Sequence, residues 1–254
     1  MSSPYIIWTL RRTGGTTLAG LLATLSEHPG VEHEPFNPER LFGEVTKGWL
    51  EHGDEAQLRA DLRGVLATRL PVIKHCHELL PDAFNRVLME VSIELGYAQI
   101  ILDRDAEVDR ILSLELARLT GAWGKQEAGQ VFADLKKGAL EIPPFDVARA
   151  EKHLRFCQDR RRNLKLLCES LGVAPFVVLF EQVYAVPREG RKKVAELLAF
   201  LGINPAEHAG YHDLLTEALL KKGQKSGRIL DFVPNLEETR TQLTTALGPE
   251  PVRF

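Results

Sequence analysis

Near its start the chain carries Arg11-Arg12-Thr13-Gly14-Gly15-Thr16-Thr17: two cations, two adjacent glycines and three hydroxyls. That set suits an anion. Paired glycines permit positive φ and close backbone approach, and successive N–H groups at the start of a following helix form a cradle that the helix dipole reinforces. Thr13, Thr16 and Thr17 add hydroxyl donors, and Arg12 adds charge. A nucleotide-hydrolase phosphate loop requires Gly-x-x-x-x-Gly-Lys-Ser/Thr, with the lysine reaching the outer phosphates. Neither that spacing nor that lysine is present, so ATP is not the expected ligand. The bland alternative is a tight glycine turn with a threonine cap and no ligand.

A second set lies in "IILDRDAEVDRILSLELARLTGAW", where Arg104 stands at the end of an apolar run and Ser113 follows two turns into a helical pattern. Arg104 as a bidentate fork and Ser113 as a hydroxyl donor can grip one phosphate. The competing reading pairs Arg104 with Asp103 or Asp105 at the surface and leaves Ser113 as filler. Two separated anion sites point to a ligand with two separated anionic groups. His208 and His212 have the i, i+4 spacing of a metal pair, but no third ligand is close by and the intervening Ala-Gly-Tyr is no zinc-protease signature, so no metal is expected.

These residues need elements to hold them. Short β-branched runs at 5–10, 71–77, 98–104 and 176–183 predict strands, with a weaker one at 31–34. Helical patterns fall at 16–27, 39–51, 55–67, 82–95, 105–121, 146–171 and 188–201. Alternation of this kind predicts an α/β fold with a mostly parallel central sheet flanked by helices, and ligands at the carboxyl ends of the strands, where the glycines lie. In 146–171 a stripe of Val147, Ala150, Leu154, Cys157, Leu164, Cys168 and Leu171 predicts a buried face, with Lys152, Arg155, Arg160 and Arg162 on the wet one. The tail is read as a loop at "KKGQKSGR" and a final helix at "NLEETRTQLTTAL".

The length of 254 residues predicts one domain with helical insertions. A formal net charge of −3 gives no global basic field, and no nucleic-acid partner is expected. No stretch approaches the roughly 20 apolar residues of a bilayer span, and the first residues lack the basic start of a secretory signal. A soluble, cytoplasmic protein is expected. Cys76, Cys157 and Cys168 are odd in number and far apart, which predicts thiols in a reducing compartment.

Together these segments resemble the sulfotransferases that use 3′-phosphoadenosine 5′-phosphosulfate (PAPS), most closely the bacterial trehalose-sulfotransferase-like branch, over most of the chain. Arg12, Thr13, Gly14 and Thr16 match that family's 5′-phosphosulfate loop, with Gly15 where a hydroxyl residue is common. Arg104 and Ser113 match its 3′-phosphate site, and the branch's Ser-Leu followed by Thr-Gly-x-Trp recurs as Ser113-Leu114 and Thr120-Gly121-Ala122-Trp123. "FVVLFEQV" followed by "VAELLAFLGI" is similar to its last strand and helix, with Phe180 where a tyrosine is usual, and "KKGQKSGR" is loosely similar to its basic nucleotide-covering loop.

The resemblance implies a P-loop-like sulfotransferase fold with PAPS as sulfonate donor, adenosine 3′,5′-bisphosphate (PAP) as product and no metal. The phosphosulfate would be held by Arg12, Thr13, Gly14, Gly15, Thr16 and Thr17, and the 3′-phosphate by Arg104 and Ser113. Sulfuryl transfer needs a base for the acceptor's proton. The branch places it at a glutamate after the first helix, which here is Glu34 in "VEHEPFN", with Glu32 as near rival. The phenol and steroid branch uses a strand-end histidine instead, for which "VIKHCHELLP" offers His77, and His75, beside Lys74. The expected acceptor is a hydroxyl, less often an amine, of a small molecule or carbohydrate. A homodimer stays open. The rivals are a kinase-like nucleotide enzyme on a related fold and a non-catalytic nucleotide-binding protein.

Overall fold

Four short segments, three of them rich in isoleucine or valine, form strands β1 (Tyr5–Thr9), β2 (Ile73–Cys76), β3 (Ala98–Asp103) and β4 (Phe176–Leu179) of a computed structural model, which describes residues 2–220 and 226–254. All pair in parallel, in the order β2-β1-β3-β4. A parallel sheet needs crossovers that cover both faces, and the period of two along each strand sorts the side chains between them. Tyr5, Ile7, Ile100, Leu102 and Val178 share one core with the helices Gly15–Leu25, Pro187–Leu201 and Tyr211–Leu220. Ile6, Trp8, Ile73 and Ile101 share the other with the helices Glu55–Ala67 and Asp82–Glu94 and with Leu164 and Cys168.

From β1 the chain passes to β2 on one side and then to β3 on the other, so the turn after β1 leaves the sheet where the strand order reverses. Crevices at such a switch point are where open α/β sheets bind ligands. Thr9 pairs with Cys76 on one flank and Leu102 on the other, which fixes the turn at the carboxyl edge between them.

The described residues form two compact units. The first comprises the chain up to Asp103 with Asn163–Leu220 and Phe254, and it holds the sheet. The second comprises Arg104–Arg162 and the residues from Ser226 to Arg253. In the second, the helices Glu107–Thr120, Lys125–Lys136, Ser226–Leu230 and Leu236–Leu247 pack together. The first part of the helix Val147–Ser170 is tied to Glu107–Thr120 by the ion pairs Arg149–Glu115 at 2.7 Å and Arg161–Glu107 at 2.8 Å. No helix among the described residues is long and apolar enough to cross a membrane.

Several sequence expectations are corrected. Residues 31–34 form no strand: Gly30 makes a single bridge to Val72, and Glu34, at φ 59°, cannot continue an extended run. The last strand ends at Leu179 rather than at 183, because Phe180, Val183 and Tyr184 have helical spacing and the Gln182 side chain accepts the Leu179 N–H at 3.1 Å, starting a helix at Phe180–Tyr184. The second strand ends at Cys76, and His77 opens a 3-10 turn, His77–Leu79. The helix expected from 39 starts at Gly43, where any Cβ would lie 2.1 Å from the Pro38 carbonyl oxygen. The helical region expected at 124–145 holds the helix Lys125–Lys136, whereas the helix Tyr211–Leu220 was not foreseen. Of the basic loop, 221–225 lies outside the described residues, and Ser226–Arg228 belong to a helix instead.

Candidate anion and proton-transfer site

The turn after β1 is built around two left-handed residues, Arg12 at φ 68° and Gly14 at φ 74°. Gly14 is required there twice over. An L side chain strains at that φ, and its Cβ would fall 2.7 Å from Cδ2 of Phe180. Phe180, at the position where the resembling family has tyrosine, thus packs its ring onto the turn. One helical turn later, Tyr184 stacks on Phe180 with centroids 4.8 Å apart and donates its hydroxyl to the Gly14 carbonyl at 3.2 Å.

Gly14 is also the N-cap of the helix Gly15–Leu25, and that N-terminus has no side-chain cap and no acidic residue in its first turn. Its N–H groups and dipole favour an anion. The threonines divide their duties. Thr13 is buried, and its hydroxyl bonds to that of Thr9 and donates to the Leu10 carbonyl at 2.9 Å, so it holds the turn from inside. Thr16 is exposed and Thr17 half-buried at the start of the helix. Arg11 is held against the buried carboxylate of Glu78, which accepts from its backbone N–H at 2.6 Å and its Nε at 2.9 Å.

Lys74 is the residue that spacing alone did not single out. It lies on β2, buried, with its stem across the first residue of the helix: a Cβ on Gly15 would be 3.1 Å from Lys74 Cε. Glycine at that position, read in the sequence as a departure from the family pattern, makes room for the lysine. Lys74 Nζ donates to Glu34 Oε1 at 2.7 Å, and the Cys76 thiol donates to the same oxygen at 3.1 Å. The signal was present in the sequence as a lysine inside an apolar strand, where a charge persists only with a partner.

Glu34 is brought to β2 by its backbone, whose N–H donates to the Lys74 carbonyl at 3.0 Å. Burial pushes its carboxyl up, but the charge of Lys74, hydrogen bonds from Lys74 and Cys76, and the charge of Arg11 outweigh it and hold the group below the usual carboxylate range. Burial opposes the charge on Lys74 as well, and its acidic neighbours keep it an ammonium. Burial pushes the Cys76 thiol far up, so it stays protonated and acts as a donor. Glu34 thus has one oxygen tied down, and Oε2 accepts no hydrogen bond from the described residues. Its backbone sits at φ 59°, a conformation that costs about 1–3 kcal/mol in a non-glycine residue and clusters at functional sites.

The rival bases are placed differently. His75 is buried between Trp8 and Phe36, bonded through Nε2 to Asn85 at 2.7 Å, and burial lowers its pKa to about 4, which makes it a neutral core residue. His77 is buried, and its carbonyl accepts from Asn85 Nδ2 at 2.9 Å. Glu32 is exposed and paired with Arg40 at 2.9 Å.

Arg104 and Ser113 belong to the second unit. Arg104 directly follows β3 and is half-buried; Ser113 is buried in the helix Glu107–Thr120. The Thr120-Gly121 pair has a local reason: Gly121, at φ 67°, is the C-cap of that helix, and the Thr120 hydroxyl accepts from the Ala122 N–H at 3.3 Å. Compared with protein-family models and with curated proteins, the sequence matches none.

Proposed function

We propose that this protein is a sulfotransferase that moves a sulfonate from PAPS to an acceptor hydroxyl. The single observation that carries the reading is the juxtaposition, at the switch point of the sheet, of an uncapped, acid-free helix N-terminus with a buried lysine that holds a half-buried glutamate. One part suits an anion and the other a proton transfer.

In this reading the N–H groups of Gly15, Thr16 and Thr17 hold the phosphosulfate, with Arg12 adding charge. Arg104 and Ser113 hold the 3′-phosphate. Glu34 takes the acceptor's proton on Oε2 as the acceptor oxygen forms its bond to sulfur and the bond from sulfur to the 5′-phosphate oxygen breaks, its electron pair leaving with PAP. Lys74 and the helix N-terminus stabilise the charge that collects on that departing oxygen. The acceptor expected from the resemblance is a hydroxyl of a small molecule or carbohydrate.

Thermal melting with PAP, ADP and ATP tests the nucleotide half. A ligand at a hundredfold excess over its Kd stabilises by about 2.7 kcal/mol, several degrees of Tm, so a preference is easily read. PAP should shift Tm more than ADP, since ADP lacks the 3′-phosphate, and Arg104→Ala should abolish most of the difference. Equal shifts in the wild type would remove the 3′-phosphate assignment. Labelled PAPS offered to a panel of acceptors tests the chemistry; binding without any labelled product would favour a non-catalytic nucleotide-binding protein.

A further inference from the structure

A peptide flanked by two glycines has little of its own to resist rotation, and in the turn after β1 that is the peptide between Gly14 and Gly15. Its C=O and N–H lie in one plane and point in opposite directions, so whatever fixes the Gly14 oxygen also aims the Gly15 N–H, a donor at the start of the helix Gly15–Leu25. A flipped peptide would turn that N–H away and offer an oxygen to an anion instead.

The Gly14 oxygen is held from outside the turn, by the Tyr184 hydroxyl at 3.2 Å. The helix Phe180–Tyr184 delivers it there: it continues directly from β4 and is anchored by Val183, which is buried in the core on that face of the sheet. Both aromatic rings of this helix press on Gly14, where a Cβ would lie 2.7 Å from Phe180 Cδ2 and 3.2 Å from Tyr184 Cε2. Burial pushes the Tyr184 phenol far up, and the Leu18 N–H and the Thr17 hydroxyl, which face its oxygen, oppose this only in part, so the group stays protonated and remains a donor. We propose that Tyr184 is a positioning residue of the anion site: it holds the Gly14-Gly15 peptide with the N–H toward the anion, and it keeps the Thr17 hydroxyl at its own oxygen, so that Thr17 serves the anion through its backbone N–H alone. The proposal deepens the sulfotransferase reading and rests on it for the identity of the anion.

The test uses the full chain, with PAP as probe, and reads both its Kd and the Gly15 amide signal of nitrogen-15-labelled protein. Tyr184→Phe removes one oxygen and keeps the ring on Phe180. It should weaken PAP about two- to tenfold, the worth of one neutral hydrogen bond. The wild-type Gly15 signal should move downfield as its N–H meets the phosphate, and in Tyr184→Phe that movement should shrink, which a merely structural tyrosine would not cause. Thr17→Val approaches the same contact from its other side. It should weaken PAP no more than Tyr184→Phe does, and the double variant should bind PAP as Tyr184→Phe alone does. An unchanged Kd and Gly15 response in Tyr184→Phe, or losses that multiply in the double variant, would overturn the assignment and leave the PAP site standing. If Tyr184→Phe does not fold, Thr17→Val decides: weaker PAP with a smaller Gly15 response supports the assignment, and any other result overturns it. If PAP fails to shift the wild-type Tm, the sulfotransferase reading falls and takes the assignment with it.

Discussion

Two carboxylates in this protein, Glu107 buried and Glu34 half-buried, have opposite designs. In the second unit Glu107 is almost fully enclosed and both of its oxygens are taken: Arg110 donates to Oε1 at 2.8 Å and to Oε2 at 2.9 Å, and Arg161 to Oε2 at 2.8 Å. Burial raises its carboxyl, yet the two arginines bring it down to about 2. In the first unit Glu34 keeps 27% of its side chain exposed, gives one oxygen to Lys74 and Cys76, and sits on strained backbone. A carboxylate saturated on both oxygens serves the fold. One held by a single oxygen is fixed in place and still able to accept a proton.

The sharpest way to break the comparison is Glu34→Gln. The amide keeps the shape but cannot take the proton, so transfer from labelled PAPS should fall by roughly 10²–10⁴. Nucleotide binding should survive. Lys74 loses its counter-charge but remains against Gly15, where an anion replaces it, so PAP should raise the variant's Tm at least as much as it raises the wild type's. Near-normal turnover, with a large loss in His77→Ala instead, would move the base to the strand-end histidine.

Glu107→Gln should act on stability and leave the acid limb of the transfer pH profile where it is. Removing one partner of a buried ion cluster typically costs about 3–5 kcal/mol, here read as a lower urea midpoint. The folded pKa lies below the ordinary one, so the stabilising contribution is complete above the usual carboxylate range and is lost as pH falls toward about 2. A shift from 4.5 to about 2 corresponds to on the order of 3 kcal/mol. Wild-type stability should therefore drop more steeply than the variant's between pH 5 and pH 3. Parallel slopes would mean that Glu107 is no anchor.

What the sequence disclosed follows from which signals are local. The glycine turn and the four strands are local patterns, and β-branched runs punctuated by turn residues identify them. The ends of strands were less legible, because Phe180 to Val183 reads as strand by residue type, and only the Gln182 cap and the packing of Phe180 on Gly14 turn it into helix. Arg161 was hidden for a related reason. It occupies the step between Cys157 and Leu164 on the apolar stripe, a position that looks polar until Glu107, distant in sequence, is known to meet it. In the candidate site, Glu34 was found by resemblance, whereas its partners Lys74 and Cys76 depend on the parallel neighbour strand, a long-range relation that spacing does not encode.

The smallest predicted effect probes how Glu34 is tuned. The Cys76 thiol is one of the donors holding the Glu34 carboxyl below its ordinary range, and because burial keeps that thiol protonated it gives its hydrogen to Oε1 throughout the working pH range. Cys76→Ala removes the donor and leaves Lys74 in place. The pKa of Glu34 should then rise, and since the base must be ionised to act, the acid limb of the pH profile of transfer should move to higher pH. The thiol is a weak donor, and its bond to the carboxylate contributes about 0.5–1.5 kcal/mol, so the displacement should be about one pH unit or less. Cys76→Ser, which restores a donor on a shorter side chain, should bring the limb part of the way back, whereas a purely structural role for Cys76 would lower the melting temperature of both variants and leave the limb unmoved.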